Sequence, residues 1–468
     1  MRIALILVIE RGLLTQNKNE KFRKARRIMR KKIVSCALAI TLAATLFTGC
    51  GSSKKDENVG EYITLDGLKA SFKTNQEINT TDSITLTVWE SVSGPDEFIK
   101  QAGDWFTQLY PNIKIKYVNV ESTDSGSKIA NDGPAGNGPD LFAAAHDKMG
   151  TMQAQSTILE VPESDIDIVS QSCSATALAG ATLRKADGTQ TLYGYPVSVE
   201  TYALFYNKAL ISEDQIPKTM EELVSYITEY KSSHNDGTEP FLIDAGNAYY
   251  SVFFTSNATT HLYGDSGNDV TNTYMNSEQS VKQMDDFVKL AQAIDLNTGD
   301  IDYKHNDSMF SGGMLAMNVS GAWNIKTYEE DGVDFGITSI PSLTGTSEPP
   351  ANFMGVRCMF VSNYSEHQPE AIAFAEFLMT KEMQKLRCEI TSTMPAREDV
   401  LAEIEDPKVK AYMDGLQKQM AYSYPMPNMG QGGLFWTPFN TAYANIWNGE
   451  VSDIQAELDK ANKAATKN

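Results

Sequence analysis

The hydrophobic pattern of the chain alternates between strand-like runs and helix-like stretches. Residues 84–89 (ITLTVW) and 113–120 (IKIKYVNV) have the composition of strands, and residues 96–109 between them place apolar side chains at helical spacing. The apolar run 141–145 (LFAAA) predicts a third strand. This order predicts an α/β domain with a largely parallel sheet. In such sheets ligands bind at the carboxyl ends of the strands.

Two groups of polar residues directly follow predicted strands. Glu90 and Ser91 follow the first strand, and His146, Asp147 and Lys148 follow the third. Both groups are therefore expected at the binding edge of the sheet. The alternatives that involve no ligand are a solvent-exposed ion pair between Asp147 and Lys148 and a structural role for His146.

Residues 194–210 (GYPVSVETYALFYNKAL) predict a strand buried on both faces. The run is rich in Val, Tyr, Phe and Leu, and apolar and polar positions do not alternate cleanly. Glu200 is the one carboxylate inside it. Because a buried carboxylate is costly without polar partners, Glu200 either forms a structural salt bridge or meets a ligand, a partner or water.

The mixed pattern continues after this run and predicts a second α/β lobe. Thr219 fits the N-cap of a helix over residues 220–230, with Glu221 and Glu222 in its first turn. Further helices are expected over residues 277–294, 371–380, 407–419 and 451–465, and further strands over residues 240–244, 309–319 and 335–340.

The amino-terminal segment has the features of a secretory signal. Residues 29–32 (MRKK) precede an apolar run at 33–47, which is too short for a comfortable membrane span. Residues 46–50 (LFTGC) resemble the lipobox of bacterial lipoproteins, which implies cleavage before Cys50 and lipid attachment to its thiol; the alternative is an ordinary buried cysteine. Residues 1–28 either extend the signal or precede a true start near Met29.

We therefore expect a signal peptide over residues 1–49 and a lipid-anchored, flexible linker over residues 50–82. Within the linker, the apolar residues between Tyr62 and Leu68 are expected to add a short strand.

Charge and cysteine usage narrow the class of ligand and site. The net charge is −20, and because residues 1–49 hold 11 of the 40 basic but only two of the 60 acidic residues, the remainder carries −29. Such a surface repels nucleic acid and suits a neutral or cationic ligand. Cys173, Cys358 and Cys388 lack metal-ligand spacing and are expected as buried free thiols, although a Cys358–Cys388 pair stays open.

Four stretches, in the same order along the chain, resemble the extracellular solute-binding proteins of sugar ABC transporters, specifically the maltose/maltodextrin-binding type. They are residues 137–150 (NGPDLFAAAHDKMG), 194–210 with 216–222 (IPKTMEE), 310–324 (FSGGMLAMNVSGAWN) and 426–436 (MPNMGQGGLFW).

The resemblance covers about residues 83–468 and implies a fold and a domain organisation. The fold would be the two-lobed, type II periplasmic-binding-protein-like α/β fold, with the ligand in a cleft between the lobes. The implied segments are residues 83–199 in the first lobe, 200–352 in the second, 353–398 in the first again and 399–468 in the second again.

The resemblance also implies a sugar ligand. Its polar contacts would hydrogen-bond hydroxyl groups, and its aromatic side chains would stack on the apolar face of a pyranose ring. A lone tryptophan is usually part of a core, but glycines beside both candidate tryptophans indicate loops. The predicted ligand-binding residues are Glu90, Asp147, Lys148, Glu200, Tyr249, Trp323 and Trp436.

The chain departs from the maltose-binding pattern at several of its contact positions. The pattern has a tryptophan where Ala144 stands, a carboxylate where Asn247 stands and an arginine where Asn440 stands. An acidic pair is replaced by residues 126–127, and an Asp–Lys pair is absent from residues 90–93. These changes bear on which oligosaccharide is preferred.

The sequence thus predicts a monomeric, lipid-anchored binding protein of a carbohydrate ABC importer on the extracellular face of the bacterial cytoplasmic membrane. It would close on maltodextrin-like α-glucans and dock on permease subunits, with no catalysis, cofactor or metal. One alternative is a cell-surface glycosidase, which would need a carboxylate pair such as Glu200 and Asp147. Another is a binder of a different oligosaccharide or solute, such as a polyamine, on the same fold.

Overall fold

The computed structural model of the 468-residue chain describes residues 59–184 and 188–466. The predicted signal peptide, the position of the true start and Cys50 lie outside these residues. In the part of the chain that is described, no helix is long and apolar enough to cross a membrane.

Twelve strands are present in the described ranges. In chain order they are β1 Ile84–Glu90, β2 Ile113–Asn119, β3 Leu141–Ala145, β4 Thr182–Arg184, β5 Gln190–Leu192, β6 Tyr195–Asn207, β7 Glu239–Leu242, β8 Leu315–Gly321, β9 Phe335–Thr338, β10 Phe353–Val361, β11 Met394–Pro395 and β12 Tyr424–Pro425.

The same ranges contain seventeen α-helices. They are α1 Leu65–Ser71, α2 Pro95–Leu109, α3 Ser122–Asp132, α4 Met149–Ala154, α5 Ile166–Gln171, α6 Ala175–Ala181, α7 Met220–Ser233, α8 Ala248–Ser251, α9 Glu278–Ile294, α10 Tyr303–Ser311, α11 Ile325–Glu330, α12 Gln368–Leu378, α13 Lys381–Thr391, α14 Glu398–Leu401, α15 Pro407–Met420, α16 Trp436–Trp447 and α17 Ile454–Ala465.

Ten of the strands form one mixed sheet. Its main order is β2-β1-β3-β10-β6-β8-β7, with β9 and β11 also paired to β6 and β12 paired to β10; β4 and β5 form a separate pair. β1 runs parallel to β2 and β3, and β7 runs parallel to β8. The centre is antiparallel because β10 lies between β3 and β6 and runs opposite to both. The expected parallel arrangement therefore holds at the two flanks of the sheet.

The central strand β6 is shared by two halves of this sheet. Residues 195–201 pair with β10, whereas residues 202–207 pair with β8 and β9. Every residue of β6 is buried except Glu200, which is partly exposed. This confirms a strand covered on both faces, and it places Glu200 just before the strand changes partners.

The carboxyl ends of β1 and β3 meet at one edge, as expected. Val88 is level with Leu141 in the parallel register, so Glu90 at the end of β1 lies on the same side as the turn His146–Lys148 that follows β3.

Helix α7 begins at the residue that the sequence predicts. Thr219 Oγ1 accepts a hydrogen bond from the Glu222 amide at 3.2 Å, and the Glu222 carboxylate accepts from the Thr219 amide at 3.3 Å.

The short strand expected near Tyr62–Leu68 is wrong, because this segment forms helix α1. Thr64 caps the helix, and Leu68 on its inner face is 0% exposed. Phe72 follows and packs edge-on against Phe106 and Phe377, with ring centroids 6.3 and 5.3 Å away. The flexible linker expected over residues 50–82 is therefore wrong for residues 59–82, since their apolar side chains pack on the body.

The strand expected over residues 309–319 is correct only in its second half. Helix α10 extends to Ser311, and Gly313 adopts a φ of 70° before β8 begins at Leu315. A left-handed glycine ends the helix and redirects the chain, which the apolar pattern alone did not show. Cys173, Cys358 and Cys388 are free thiols as expected, but only Cys358 and Cys388 are buried, since Cys173 is partly exposed.

We expect Leu68→Ala to lower the free energy of unfolding by about 2–5 kcal/mol, because it removes a fully buried side chain that joins α1 to the body. Lys69→Ala is the matched control on the exposed side of the same helix and should change stability by less than about 0.5 kcal/mol. Chemical denaturation of the purified protein measures both. Equal stabilities for the two variants would show that α1 does not contribute to the core.

Candidate functional site

Four aromatic rings form a continuous row. The ring centroids of Trp323 and Tyr249, of Tyr249 and Phe353, and of Phe353 and Trp436 are each 6.0 Å apart. The structure thus brings together the three predicted aromatic residues, although they lie far apart in the sequence. Phe353, which joins them, was not predicted. We call these four side chains the aromatic row.

Each ring of the row stands at the end of a regular element. Trp323 lies in the short turn Ala322–Asn324 directly after β8, Tyr249 is the second residue of α8, and Trp436 is the first residue of α16. Phe353 begins β10. Side chains at element ends are held by rigid scaffolds while remaining accessible, and the three predicted rings are all partly exposed.

Gly321 lets the Trp323 ring lie close against the chain. A Cβ atom at this position would come within 2.1 Å of the Trp323 ring. Any side chain here would therefore push the indole out of the row.

A partly buried carboxylate fixes the turn that carries Trp323. Asp307 accepts hydrogen bonds at 2.5 to 3.1 Å from side chains of β8 and the residues after it. Burial raises the pKa of Asp307, and these hydrogen bonds oppose that effect. The donors are Asn318, Ser320, Asn324 and Tyr328. Trp323 thus rests on a rigid polar network.

Two asparagines hold the helix that carries Tyr249. Asn247 Oδ1 accepts from the Tyr249 amide at 3.1 Å, and Asn440 Oδ1 accepts from the Ala248 amide at 2.7 Å. These are the positions where the maltose-binding pattern has charged side chains. In this chain their carbonyl oxygens satisfy the amide groups at the start of α8.

Asp147 and Lys148, which follow β3, lie beside the aromatic row. Lys148 Nζ lies 2.9 Å from Asp147 Oδ2 and 5.7 Å from the centre of the Trp436 ring. The Asp147 side chain is 7% exposed, whereas the Lys148 side chain is 38% exposed. The predicted pair is therefore both an ion pair and a neighbour of the predicted tryptophan.

Glu200 forms a salt bridge with an arginine that was not predicted. Arg357 Nε donates to Glu200 Oε1 at 3.1 Å, and Arg357 Nη1 donates to Glu90 Oε1 at 2.6 Å. Ser198 Oγ also donates to Glu200 Oε1, at 2.8 Å. The structure thus joins two predicted site residues, Glu90 and Glu200, through one guanidinium group.

The sequence held a signal for Arg357 that periodicity did not use. It lies inside the apolar strand 353–361 (FMGVRCMFV), where an unpaired arginine would be costly. Like Glu200, this arginine needs a partner of opposite charge, and the two residues could have been paired on that ground. The 157-residue separation between them hid the pairing from local patterns.

A second arginine completes this charge cluster. Arg387 Nη1 lies 3.6 Å from Glu90 Oε2, and its guanidinium group lies 5.3 Å from the centre of the Phe98 ring. Burial lowers the pKa of Arg387, with Glu90 opposing. Burial also acts to lower the pKa of Arg357, but attraction by Glu200 and Glu90 outweighs it and the pKa is raised. The negative charges of the two carboxylates therefore equal the positive charges of the two guanidinium groups.

The charges of two predicted carboxylates act on the Tyr249 hydroxyl. Burial raises the pKa of Tyr249 well above its ordinary value, and the charges of Glu200 and Asp147 raise it further. Both carboxylates therefore lie within electrostatic reach of this ring. The aromatic row, the Asp147–Lys148 pair and the charge cluster together form the candidate site.

His146 has a structural role beside this site. Its Nδ1 accepts from the Val356 amide at 3.0 Å, so Nε2 carries the proton that it donates to the Met426 carbonyl, also at 3.0 Å. Burial lowers the pKa of His146. The imidazole ties the turn after β3 to β10 and to the segment that precedes α16.

Residues 101–415 match the family described as bacterial extracellular solute-binding proteins, which is well over half of the chain. The chain belongs to this family. It is a family of binding proteins rather than enzymes, which confirms the prediction of a non-catalytic protein and sets aside the glycosidase alternative.

Two relatives named for different oligosaccharides match most of this chain. A galactooligosaccharide-binding protein of Bacillus subtilis is 28% identical over 387 residues, 81% of this chain and 88% of the relative. A maltooligosaccharide ABC transporter solute-binding lipoprotein of Streptococcus pneumoniae is 23% identical over 425 residues, 90% of this chain and 93% of the relative.

A solved extracellular solute-binding protein of Staphylococcus aureus, in complex with maltose, has a TM-score of 0.63 and 28% identity. The match covers 81% of this chain and 96% of that chain. Such likenesses confirm the predicted two-lobed periplasmic-binding-protein-like fold.

We expect the free energy of unfolding of this solute-binding protein to decrease as the pH falls, and we assign part of this decrease to His146. Because the folded state lowers the pKa of His146, its stabilising contribution is complete above the ordinary histidine pKa and is lost as the pH falls below about 6.5. The slope approaches about 1.4 kcal/mol per pH unit. His146→Asn should lose this part of the slope, measured by denaturation at about pH 7.5 and about pH 5.5.

His305→Asn is the control, since this side chain is exposed. It should keep the slope of the unmodified protein. A His146→Asn variant with an unchanged slope would contradict the assignment.

Proposed function

We propose that this protein is the lipid-anchored substrate-binding component of a carbohydrate ABC importer and that it binds a neutral oligosaccharide between its lobes. The observation that carries the proposal is the aromatic row, bordered by the Asp147–Lys148 pair and by Glu200 with Arg357. Aromatic faces suit the apolar faces of pyranose rings, and fixed charged groups suit their hydroxyls.

The charge balance of the site supports a neutral ligand. Asp147 is paired with Lys148, and the carboxylates of Glu90 and Glu200 are matched by two arginines. A polyamine would need a carboxylate whose charge is free, and an anion would need a free cation. Within this set of described residues each charge has an opposite neighbour.

The length of the row supports a ligand of more than one sugar ring. Trp323, Tyr249 and Trp436 are partly exposed and offer apolar surfaces, whereas Phe353 is fully buried and only links Tyr249 to Trp436, with its ring centroid 6.0 Å from each. A monosaccharide would cover only part of such a platform, because one pyranose face covers about one aromatic ring.

Maltodextrin-like α-glucans are the first candidate ligand. The named function of the Streptococcus pneumoniae relative and the maltose in the Staphylococcus aureus structure support them. Galacto-oligosaccharides are the second candidate, supported by the name of the Bacillus subtilis relative. Asn247 and Asn440 hold α8 and stand where the maltose-binding pattern has charged side chains. Because those charged side chains are missing, both candidate ligands stay open.

Closure of the lobes is the proposed signal to the transporter. We take the lobes as residues 83–199 with 353–398 and residues 200–352 with 399–468, and the change of partners within β6 supports a crossing at this place. A ligand that contacts both lobes favours the closed state through its higher affinity for that state. The closed monomer would dock on membrane permease subunits, with Cys50 as the lipid anchor on the extracellular face; the lipoprotein relative supports this anchor.

We expect maltotriose or maltoheptaose to change the tryptophan fluorescence of the purified protein in a saturable way. The chain has five tryptophans, and two of them, Trp323 and Trp436, lie in the row. Trp436→Ala should weaken binding by about 10-fold or more, because it removes one stacking surface. Isothermal titration calorimetry gives the affinities.

Trp447→Phe is the matched control, since Trp447 is buried and donates to the Leu296 carbonyl away from the row. It should keep the affinity. Binding of β-linked galactotriose but not maltotriose would replace the first candidate with the second. Binding of neither series would overturn the proposed function.

A further inference from the structure

The side chains of the charge cluster lie on one face of the sheet. Arg357 is level with Ala145 on β3 and with Ser198 on β6, and directly paired residues share a face. Glu200 lies two residues beyond Ser198 on the same strand, so it points to this face too. Arg357 and Glu200 are therefore neighbours because of the strand register and not through a mobile loop.

Small side chains on β3 let Arg357 reach Glu90. β3 separates β10 from β1, and on the face of Arg357 it presents Ala143 and Ala145. Alanine side chains are small enough to leave space above β3 for a guanidinium group. Arg357 Nη1 therefore meets Glu90 Oε1 at 2.6 Å across the intervening strand.

The protein uses only part of the hydrogen-bonding capacity of this pair. Arg357 donates from Nε to Glu200 and from Nη1 to Glu90 and Ser91, at 3.1, 2.6 and 3.4 Å. Within the described ranges, no hydrogen bond is made by Arg357 Nη2 or by Glu200 Oε2, and neither atom is sealed from solvent. The two side chains are 10% and 13% exposed.

We propose that Arg357 is a ligand-binding residue of this site, and that its Nη2 amino group and Glu200 Oε2 act as one donor–acceptor pair for two neighbouring hydroxyls of a neutral sugar ring. The inference rests on the proposed function and names a polar contact of the same site. A hydroxyl both donates and accepts, so adjacent hydroxyls match a fixed acceptor beside a fixed donor. Because the protein holds both groups, the pair discriminates the orientation of those hydroxyls.

Arg387 provides the contrast within the same cluster. It shares Glu90 as a partner, but its side chain is 1% exposed and lies against Phe98. Arg387 therefore balances charge inside the protein and cannot touch a ligand. Arg357 has the same charge and the same neighbour, yet keeps a free and open amino group.

The test combines Arg357→Lys with sugars that lack single hydroxyls. A lysine keeps the charge but carries its donors on a single nitrogen, so it does not reproduce the separate positions of Nε, Nη1 and Nη2. We expect it to weaken binding of maltotriose, or of β-linked galactotriose if only that series binds, by about 10- to 100-fold in calorimetric titration of the full protein.

The deoxy sugars decide whether this loss comes from contact with the ligand. Removing one of the two recognised hydroxyls should weaken binding to the unmodified protein strongly and binding to Arg357→Lys much less. Equal losses in both proteins at every hydroxyl position would overturn the proposal and leave Arg357 with a structural role.

Two further variants keep the test decisive. Arg397→Lys is the matched control, because Arg397 pairs with Asp399 outside the site, and the affinity should stay within about 3-fold. If Arg357→Lys does not fold, Glu200→Gln takes its place, because the amide keeps an oxygen for Arg357 and changes only the open position. Unchanged discrimination among the deoxy sugars would then overturn the proposal.

The outcome for Trp436→Ala separates this inference from the proposed function. Loss of binding in Trp436→Ala with full affinity and discrimination in Arg357→Lys would remove Arg357 from the site and leave the proposed function standing. Failure of both sugar series to bind the unmodified protein would overturn both.

Discussion

The structure depends on strand β6, whose backbone is buried along nearly its whole length. Buried amide and carbonyl groups must be paired, so both edges of this strand need partners. β10 and β11 supply them within residues 195–201, and β8 and β9 supply them within residues 202–207. The two sheet halves are therefore joined through one continuous strand. Because Glu200 stands just before the change of partners, the fold itself brings a carboxylate to the place where the halves meet.

The charge cluster beside this crossing is better suited to recognition than to stability. Transfer of two ions out of water costs several kcal/mol each, and a buried ion pair often returns no more than this cost. Removal of one partner is nevertheless damaging, because it leaves the other charge buried and unpaired. Glu90 is 0% exposed and has an arginine on each side, so its charge is balanced twice. Such a cluster fixes the position of Arg357 and Glu200 in space, and fixed direction is what a polar binding site requires.

Local patterns in the sequence predicted most elements of the fold but few of its distant contacts. The buried strand β6, the capped helix α7 and the three strands around the binding edge follow from periodicity and capping signals that act within a few residues. Segment 65–71 was misjudged because Leu65 and Leu68 fit a helix face only when the partner surface is known. The aromatic residues were found through family motifs, whereas Phe353 and Arg357 were missed because their partners lie in distant segments. Register and small intervening alanines, which decide the reach of Arg357, exist only in the folded sheet.

On the proposed function, the aromatic row and the polar pair would divide the work of recognition. Stacking on Trp323 and Trp436 depends on the apolar face of a sugar and tolerates different hydroxyl orientations. The pair formed by Arg357 and Glu200 depends on those orientations, because its donor and acceptor are fixed by the register of β6 and β10. Asn247 is occupied in holding α8, as its carbonyl oxygen accepts from the backbone. Selection among sugars by polar groups would then depend on the crossing strand and not on the start of α8. The aromatic row would set the number of sugar rings that bind, and the Arg357–Glu200 pair would set which sugar those rings belong to.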